Sequence, residues 1–498
     1  MPDYDLLIIG GGINGCAIAR EASLLGLSVL LLERDDLASH TSSASTGLIH
    51  GGLRYLEQYD FRLVAEALRE RERLLKAAAH LIRPMQFVLP HENAVRPWVL
   101  VRAGLVLYDL LAGRMSLPRS RGLRRSDRAY TVPLKGSGRG FVYSDAQVDD
   151  ARLTLANALD AAANGAEIVT GTALDSARRE GDIWRANLSD GREVTARALV
   201  NAAGPWVGQA LARLGINANG GVRLVKGSHI VVPRLYEGDH AYILQQPDRR
   251  IVFAIPYQGM TEIGTTDVPV EQPEDARISN EEIAYLCDAA NRHFRHQIAP
   301  ADVVSTWSGV RPLYDDGASE AQVVSRDYVL ELDANGPALL SVFGGKITTA
   351  RHLAEEAVAK LAPVMGFTAR RVTRKRPFPG SDIGPFDAFL AEVRARWPFL
   401  GEARSARMAH AYGSELREML VEVRDEAGMG KPFGAGLTEV EARWMREREW
   451  ARTSADALER RSKLGLAMTV DERARFEEWW NATAPLSSEE GRAHQSTR

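Results

Sequence analysis

The run Gly10-Gly11-Gly12-Ile13-Asn14-Gly15 constrains this chain more than any other feature. It satisfies G-x-G-x-x-G, and its neighbours give the pattern its weight. Residues 5–9 before it are a short apolar run. Residues 15–26 after it place Ile18, Ala22 and Leu25 near one helical face. A second apolar run, 28–32, ends in Glu33, roughly 20 residues beyond the last glycine, the spacing of a ribose-binding acid. Strand, glycine turn, helix, strand and acid in this order predict a βαβ unit that holds a dinucleotide. Gly10 permits the tight turn, Gly12 lets the backbone approach a pyrophosphate, and Gly15 allows close helix–strand packing. The helix N-terminus offers free N–H groups and a positive dipole end to the phosphates. A glycine-rich turn in an unrelated α/β protein is the plainer alternative.

An amino-terminal unit of this kind serves both FAD and NAD proteins. Two later segments favour FAD. Residues 200–204 (V-N-A-A-G) end an apolar run in small residues, as required where a strand passes close to a cofactor. Residues 341–349 repeat strand, paired glycines and helix start, and such a helix N-terminus would stabilise an anionic reduced flavin. Taken singly, each also reads as an ordinary turn.

Composition narrows the partners. The chain of 498 residues is 45% hydrophobic and 26% charged with a net charge of −3, which suits a soluble globular protein of several domains and gives no general pull toward nucleic acid. Its two cysteines, Cys16 and Cys287, make neither a disulfide framework nor a thiolate metal centre, and they fit a reducing compartment; no metal site is expected. The start of the chain reads as having no signal peptide, and no run of about 20 apolar residues is present to span a bilayer.

From residue 41 the chain reads T-S-S-A-S-T-G-L-I-H-G-G-L-R-Y-L. On this run, and on 61–75, 143–155, 226–233, 264–267, 308–313 and 343–349, the chain resembles the FAD-dependent glycerol-3-phosphate dehydrogenases, within the D-amino-acid-oxidase-like flavoproteins. The likeness covers nearly the whole chain. It implies oxidation of sn-glycerol 3-phosphate to dihydroxyacetone phosphate, with FAD passing electrons to a membrane quinone. It also implies an α/β fold: an FAD/NAD(P)-binding Rossmann-like domain, an antiparallel β-sheet substrate domain and an α-helical C-terminal domain. The expected division is 1–80, 141–225 and 305–365 for the FAD domain, and 81–140 and 226–304 for the substrate domain. A linker follows at 366–384, then a helical domain at 385–484 and a disordered tail at 485–498. Two positions depart from the family pattern: Gly47, where a lysine is expected, and Ala350, where an aromatic is frequent.

Cofactor contacts are expected from Gly10, Gly12, Asn14, Gly15, Glu33, Thr41, Ser42, Ser43, Gly204, Gly345, Lys346 and Thr348. A phosphorylated alcohol needs cationic donors for its remote group and a base for its hydroxyl. Arg54, Tyr55, Lys346 and, more weakly, Arg326 are the substrate-binding candidates. Without the resemblance, Arg54 reads as an ordinary surface ion-pair partner. Arg311 reads as lying in a loop set by Gly309 and Pro312, and the resemblance implies a place near flavin and substrate, where it would stabilise an alkoxide. Two histidines compete for general base, since imidazole suits proton abstraction near neutral pH. His50 is preferred beside the flavin and His229 as a hydrogen-bonder to substrate, though a lone histidine on a strand is often structural.

Partners read this way are glycerol 3-phosphate, a membrane quinone, a lipid surface and a second copy of the chain, with no nucleic acid. The expected location is cytoplasmic, peripheral on the cytoplasmic face of the inner membrane. Residues 98–111 read either as an interfacial helix, with Trp98 at headgroup level, or as a buried core helix. The basic stretch 370–376 could meet anionic lipid or lie solvated. Erythritol phosphate as substrate, oxygen as acceptor, and a flavin-binding scaffold without turnover remain the alternatives.

Overall fold

The computed structural model describes residues 1–92, 96–136, 138–216, 221–315 and 327–483. Its first sheet is built around the strand Tyr4–Ile9. In spatial order the strands are Val329–Asp333, Ala338–Phe343, Glu193–Asn201, Tyr4–Ile9, Val29–Glu33 and Glu167–Thr170. All adjacent pairs are parallel except the first, where Val329–Asp333 runs antiparallel along the edge. Parallel strands covered on both faces read as continuous apolar runs rather than alternating ones. Leu30, Leu31 and Leu32 are accordingly all buried. One face packs on the helices Ile13–Leu24, Asp150–Ala163 and Ala350–Met365. The other packs on the hairpin Leu174–Glu180/Ile183–Leu188, with its buried Trp184, and on the helix Val207–Arg213.

Among the described residues the second sheet has ten strands and is mostly antiparallel. Along it lie Gly221–Val232, Met260–Gly264, Ile251–Tyr257, Ala241–Gln245, Ile82–Pro90, Gly140–Val148 and Leu48–Ile49. Gly140–Val148 and Ser305–Asp315 belong to this sheet, although the boundaries 141–225 and 305–365 expected from the sequence placed them in the dinucleotide unit. The reason is pairing. Ser305–Asp315 runs antiparallel to Gly221–Val232 from Gly221↔Asp315 to Val231↔Ser305, and Gly140–Val148 pairs with Ile82–Pro90 along its length. One face of the sheet packs on the helix Asn280–Asn291, the other on Phe61–Ala77 and Trp98–Leu111.

The helix Trp98–Leu111 buries Leu105, Tyr108 and Asp109, while Val99, Leu100, Val106 and Leu110 stay exposed at 76%, 58%, 39% and 64%. Val99, Val106 and Leu110 recur at helical spacing, so an apolar stripe faces outward. The helix thus lies in the core by one face only.

Residues 386–482 form helices around a core of their own. Buried charge joins this unit to the first sheet. Arg152 donates from Nη1 to both carboxylate oxygens of Glu449 at 2.8 Å, and Arg461 forks onto Asp36 with two bonds of 2.7 Å. Bidentate pairs of this kind fix geometry as well as charge, and removing one partner strands a buried ion at a cost of about 3–5 kcal/mol.

Candidate active site

A cleft of about 1130 Å³, counted to its open mouth, runs along the carboxyl ends of the parallel strands. Its floor is the glycine turn. Gly10 adopts φ +107°, and a Cβ on Gly15 would lie 1.9 Å from the Gly10 carbonyl oxygen, so helix and strand touch backbone to backbone. The helix Ile13–Leu24 opens on the uncharged turn Ile13-Asn14-Gly15-Cys16 and points its N-terminus into the cleft. The Ser42 Oγ accepts from the Ile13 N–H at 2.9 Å, and Thr41 Oγ1 donates to the Val310 carbonyl. Glu33 is held by the N–H groups of Gly11 (2.7 Å) and Asp35 (2.8 Å). Further along, Ala202, Ala203 and Gly204 form one wall and Gly344 and Gly345 another. Asn14 Nδ2 donates to the Gly344 carbonyl at 3.0 Å, and its buried Oδ1 has no partner among the described residues. An elongated cleft with a dipole-positive floor, glycine walls and an orphaned amide oxygen fits a dinucleotide with a flavin at its far end.

Beyond the glycine wall, one face of the second sheet supplies polar side chains. Antiparallel register sets Arg311 opposite Val225, Gly309 opposite Gly227 and Trp307 opposite His229, so these positions share a face. Gly264 is paired with His229 from the other side, and a Cβ there would lie 2.0 Å from the imidazole, which therefore rests on bare backbone. Trp307 stacks on His229 with centroids 5.4 Å apart. Arg311 donates to the Thr266 carbonyl and pairs with Asp267 at 3.0 Å.

The segment 41–52 ties this face to the cleft. Thr46 Oγ1 lies 3.0 Å from His229 Nε2. Four residues later the His50 N–H approaches Thr348 Oγ1 at 3.3 Å, and Lys346 Nζ sits 4.2 Å from the centroid of the Tyr55 ring. His229 and Arg311 thus form one group, and His50, Tyr55, Lys346 and Thr348 a second, joined by this segment. Gly10, Gly12, Asn14, Glu33, Thr41, Ser42, Gly204 and Gly345 line the cleft, and Ser43 hydrogen-bonds back to the His40 carbonyl. The Arg54 side chain and all of Arg326 lie outside the described residues, as does the stretch 485–498. Gly47 has a local reason: it adopts φ +61°, and a Cβ there would meet the Val148 carbonyl at 2.8 Å.

Electrostatics separates the two histidines. Burial, with the Lys346 charge nearby, holds the His50 pKa down to about 4. Burial and Arg311 hold that of His229 to about 3. Both rings are neutral at pH 7. The His50 Nδ1 accepts from the Gly52 N–H at 3.0 Å, so the neutral ring carries its hydrogen on Nε2 and acts as a donor there. His229 Nδ1 has no partner among the described residues. Glu262, 3.6 Å from the His229 Nε2, is pushed well above the usual carboxylate range by burial and by Asp150.

These shifts predict acid sensitivity. His50, His80 and His229 all have pKa values lowered on folding, His80 to about 3 through burial. Below pH 6.5 the unfolded chain binds protons that the folded one refuses. Stability therefore falls with pH from about 6.5 downward, by up to about 1.4 kcal/mol per histidine per pH unit. A melting temperature that stays flat between pH 7.5 and pH 5 would remove this account.

Thr46 and Glu262 are not among the residues expected from the sequence. Thr46 stood in a small polar run without a distinguishing signal, and Glu262 becomes relevant only through the pairing of Met260–Gly264 with Gly221–Val232.

Residues 5–351 match the model of the family described as FAD dependent oxidoreductase. The glycerol-3-phosphate dehydrogenase of Pseudomonas aeruginosa is 48% identical, covering 97% of this chain and 96% of its own. The D-erythritol 1-phosphate dehydrogenase of Brucella abortus is 45% identical, covering 96% and 97%. Among solved structures, the glycerol-3-phosphate dehydrogenase from Bacillus halodurans complexed with FAD superposes with a TM-score of 0.73 at 26% identity, covering 97% and 96%.

Proposed function

Since the chain belongs to the FAD-dependent oxidoreductases, in their glycerol-3-phosphate dehydrogenase branch, and its cofactor is FAD, we propose that it oxidises sn-glycerol 3-phosphate to dihydroxyacetone phosphate and delivers the electrons to a membrane quinone. The observation that carries this reading is the segment 41–52, which brings His229 and Arg311 to one side and Lys346 and Tyr55 to the other, at the glycine wall of the cleft. FAD, when bound, supplies the acceptor for the hydride leaving the carbinol carbon.

The residues do the rest. Lys346 meets the phosphate as a point charge, and Tyr55 offers a hydroxyl. Arg311, restrained by Asp267 and the Thr266 carbonyl, faces the charge that develops on the carbinol oxygen. In the tautomer that carries its hydrogen on Nε2, His229 donates to Thr46 Oγ1, and Nδ1 keeps the lone pair that takes the hydroxyl proton. His50 donates from Nε2 and positions substrate. Trp307 covers the imidazole and excludes water. The base and the hydrogen-bonder are thereby exchanged relative to the sequence expectation, because the Gly52 N–H fixes the His50 tautomer.

Purified protein is tested for a yellow cofactor and mixed anaerobically with glycerol 3-phosphate or with D-erythritol 1-phosphate. Faster bleaching by the first supports the reading, and faster bleaching by the second reassigns the substrate. Failure of both defeats polyol-phosphate oxidation. Recovery of colour with a quinone but not with oxygen supports the proposed acceptor.

Among the described residues no helix is long and apolar enough to cross a membrane. Quinone access then calls for a surface contact, and the outward stripe Val99, Leu100, Val106 and Leu110 suits the headgroup boundary. Leu100→Glu/Leu110→Glu is expected to abolish flotation with phospholipid vesicles while leaving flavin reduction by substrate unchanged. Undiminished flotation would eliminate this helix as the contact. A second copy of the chain belongs to the same reading, and sedimentation of the purified protein tests it.

A further inference from the structure

The C-terminal helical unit sends one side chain under the site. Lys463 follows the π-helical turn Asp456–Arg461 and adopts φ +55°, a conformation that a non-glycine residue holds only when its surroundings impose it. Its Nζ lies 3.1 Å from Asp149 and 2.9 Å from Asp150, with the Lys463 and Asp150 side chains 11% and 2% exposed. Asp150 turns its other oxygen to Ser45, accepting from the Ser45 N–H at 3.1 Å and from its hydroxyl at 2.7 Å. The same hydroxyl accepts from the Gly47 N–H, and between them stands Thr46, 3.0 Å from His229. A polar chain therefore runs from Lys463 through Asp150 and Ser45 to the Gly47 N–H, bracketing Thr46, whose hydroxyl meets the imidazole.

We propose that Lys463 is a positioning residue for the oxidation: it pairs with Asp150 and holds that carboxylate in place, Asp150 clamps the 45–47 backbone, and the clamped segment fixes Thr46 against His229. This rests on the reading of function above only for its kinetic consequence. The charges justify the arrangement. Without the ammonium, the nearly buried Asp150 would lack this counter-ion and would no longer hold two Ser45 donors in a fixed geometry. The same short segment makes other contacts across the boundary. Arg452 donates to the Thr170 carbonyl at 2.7 Å, and Arg460 and Arg461 both pair with Asp36, close to the dinucleotide-binding Glu33. The helical unit, for which the sequence left a dimer face, a cap on the pocket and a partner site open, reaches the cofactor domain through residues 452–463.

The test compares Lys463→Met, Lys463→Arg and the charge-balanced double variant Asp150→Ala/Lys463→Met with the full-length FAD-loaded protein. The double variant removes the stranded anion that could prevent Lys463→Met from folding. Hydrogen exchange is read on the peptide covering 41–52, together with the rate of anaerobic flavin reduction by glycerol 3-phosphate. Lys463→Met and the double variant should exchange faster in 41–52, with the 386–450 helices unchanged. Both should reduce flavin about tenfold to hundredfold more slowly at saturating substrate, the penalty of a slightly misplaced group, with little change in KM. Lys463→Arg should recover most of both properties. Wild-type exchange in 41–52 in both charge-removed variants would overturn the proposal, and so would a loss spread evenly through the helical unit. Were no polyol phosphate to bleach even the parent protein, the reading of function would fail, while the exchange result would still decide the clamp.

Discussion

Replacement of His229 by asparagine is expected to slow anaerobic flavin reduction by roughly 10²–10⁴-fold, the usual contribution of a positioned general base. Bound FAD should be unchanged, because His229 lies on the second sheet and not among the residues lining the cleft. The ring is neutral at pH 7, its pKa pressed down by burial and Arg311, so its lone pair is available without prior deprotonation. Thr46 engages one nitrogen, leaving the other for the substrate hydroxyl. The His50→Asn variant provides the contrast. His50 already accepts from the Gly52 N–H, and losing its Nε2 donor removes one hydrogen bond, a change of about tenfold at most. Stopped-flow reduction of the two variants under single-turnover conditions compares them directly. A severe defect in His50→Asn beside a mild one in His229→Asn would exchange the two roles.

The second large effect is on the cofactor itself. Gly15→Ala should yield protein that purifies without colour and binds added FAD at least about a hundredfold more weakly, equivalent to about 2.7 kcal/mol. The added methyl would sit 1.9 Å from the Gly10 carbonyl oxygen and 3.1 Å from its carbon. Both are backbone atoms that cannot swing aside, so the helix Ile13–Leu24 must draw back from the strand Tyr4–Ile9. Its first N–H groups then lose their aim at the phosphates. Melting temperature should fall as well, since a ligand that binds only the folded state stabilises it. Gly104→Ala is the control: nothing lies within 4 Å of the new methyl, and FAD content should match the parent. Isothermal titration of both apoproteins with FAD measures the difference, and equal affinities would refute the packing argument.

Some of this molecule was legible before its coordinates. Residues 5–33 carry their own instructions: an apolar run buried on both faces, a turn that only glycine can make, and an acid at the right remove. The second glycine pair, Gly344-Gly345, declared itself for the same reason, since its positive φ values of +77° and +101° leave glycine as the natural residue. The outward stripe of Trp98–Leu111 was only half legible. Its periodicity announced an apolar face but could not say whether protein or solvent lay against it.

The remainder depended on contacts between distant segments. Thr46 meets His229 across 183 residues, and Lys463 meets Asp150 across 313. No local pattern encodes either pair, because register between strands and docking between units bring them together. Likewise, the proposed choice between the histidines rests on a single N–H, that of Gly52, which stands in a left-handed backbone at φ +72°. The sequence alone determined that a dinucleotide binds at the amino-terminal turn, since that geometry is written in consecutive residues. Only the tertiary structure brings Thr46 to His229 and the Gly52 N–H to His50, since hydrogen-bond direction and charge pairing exist only after folding.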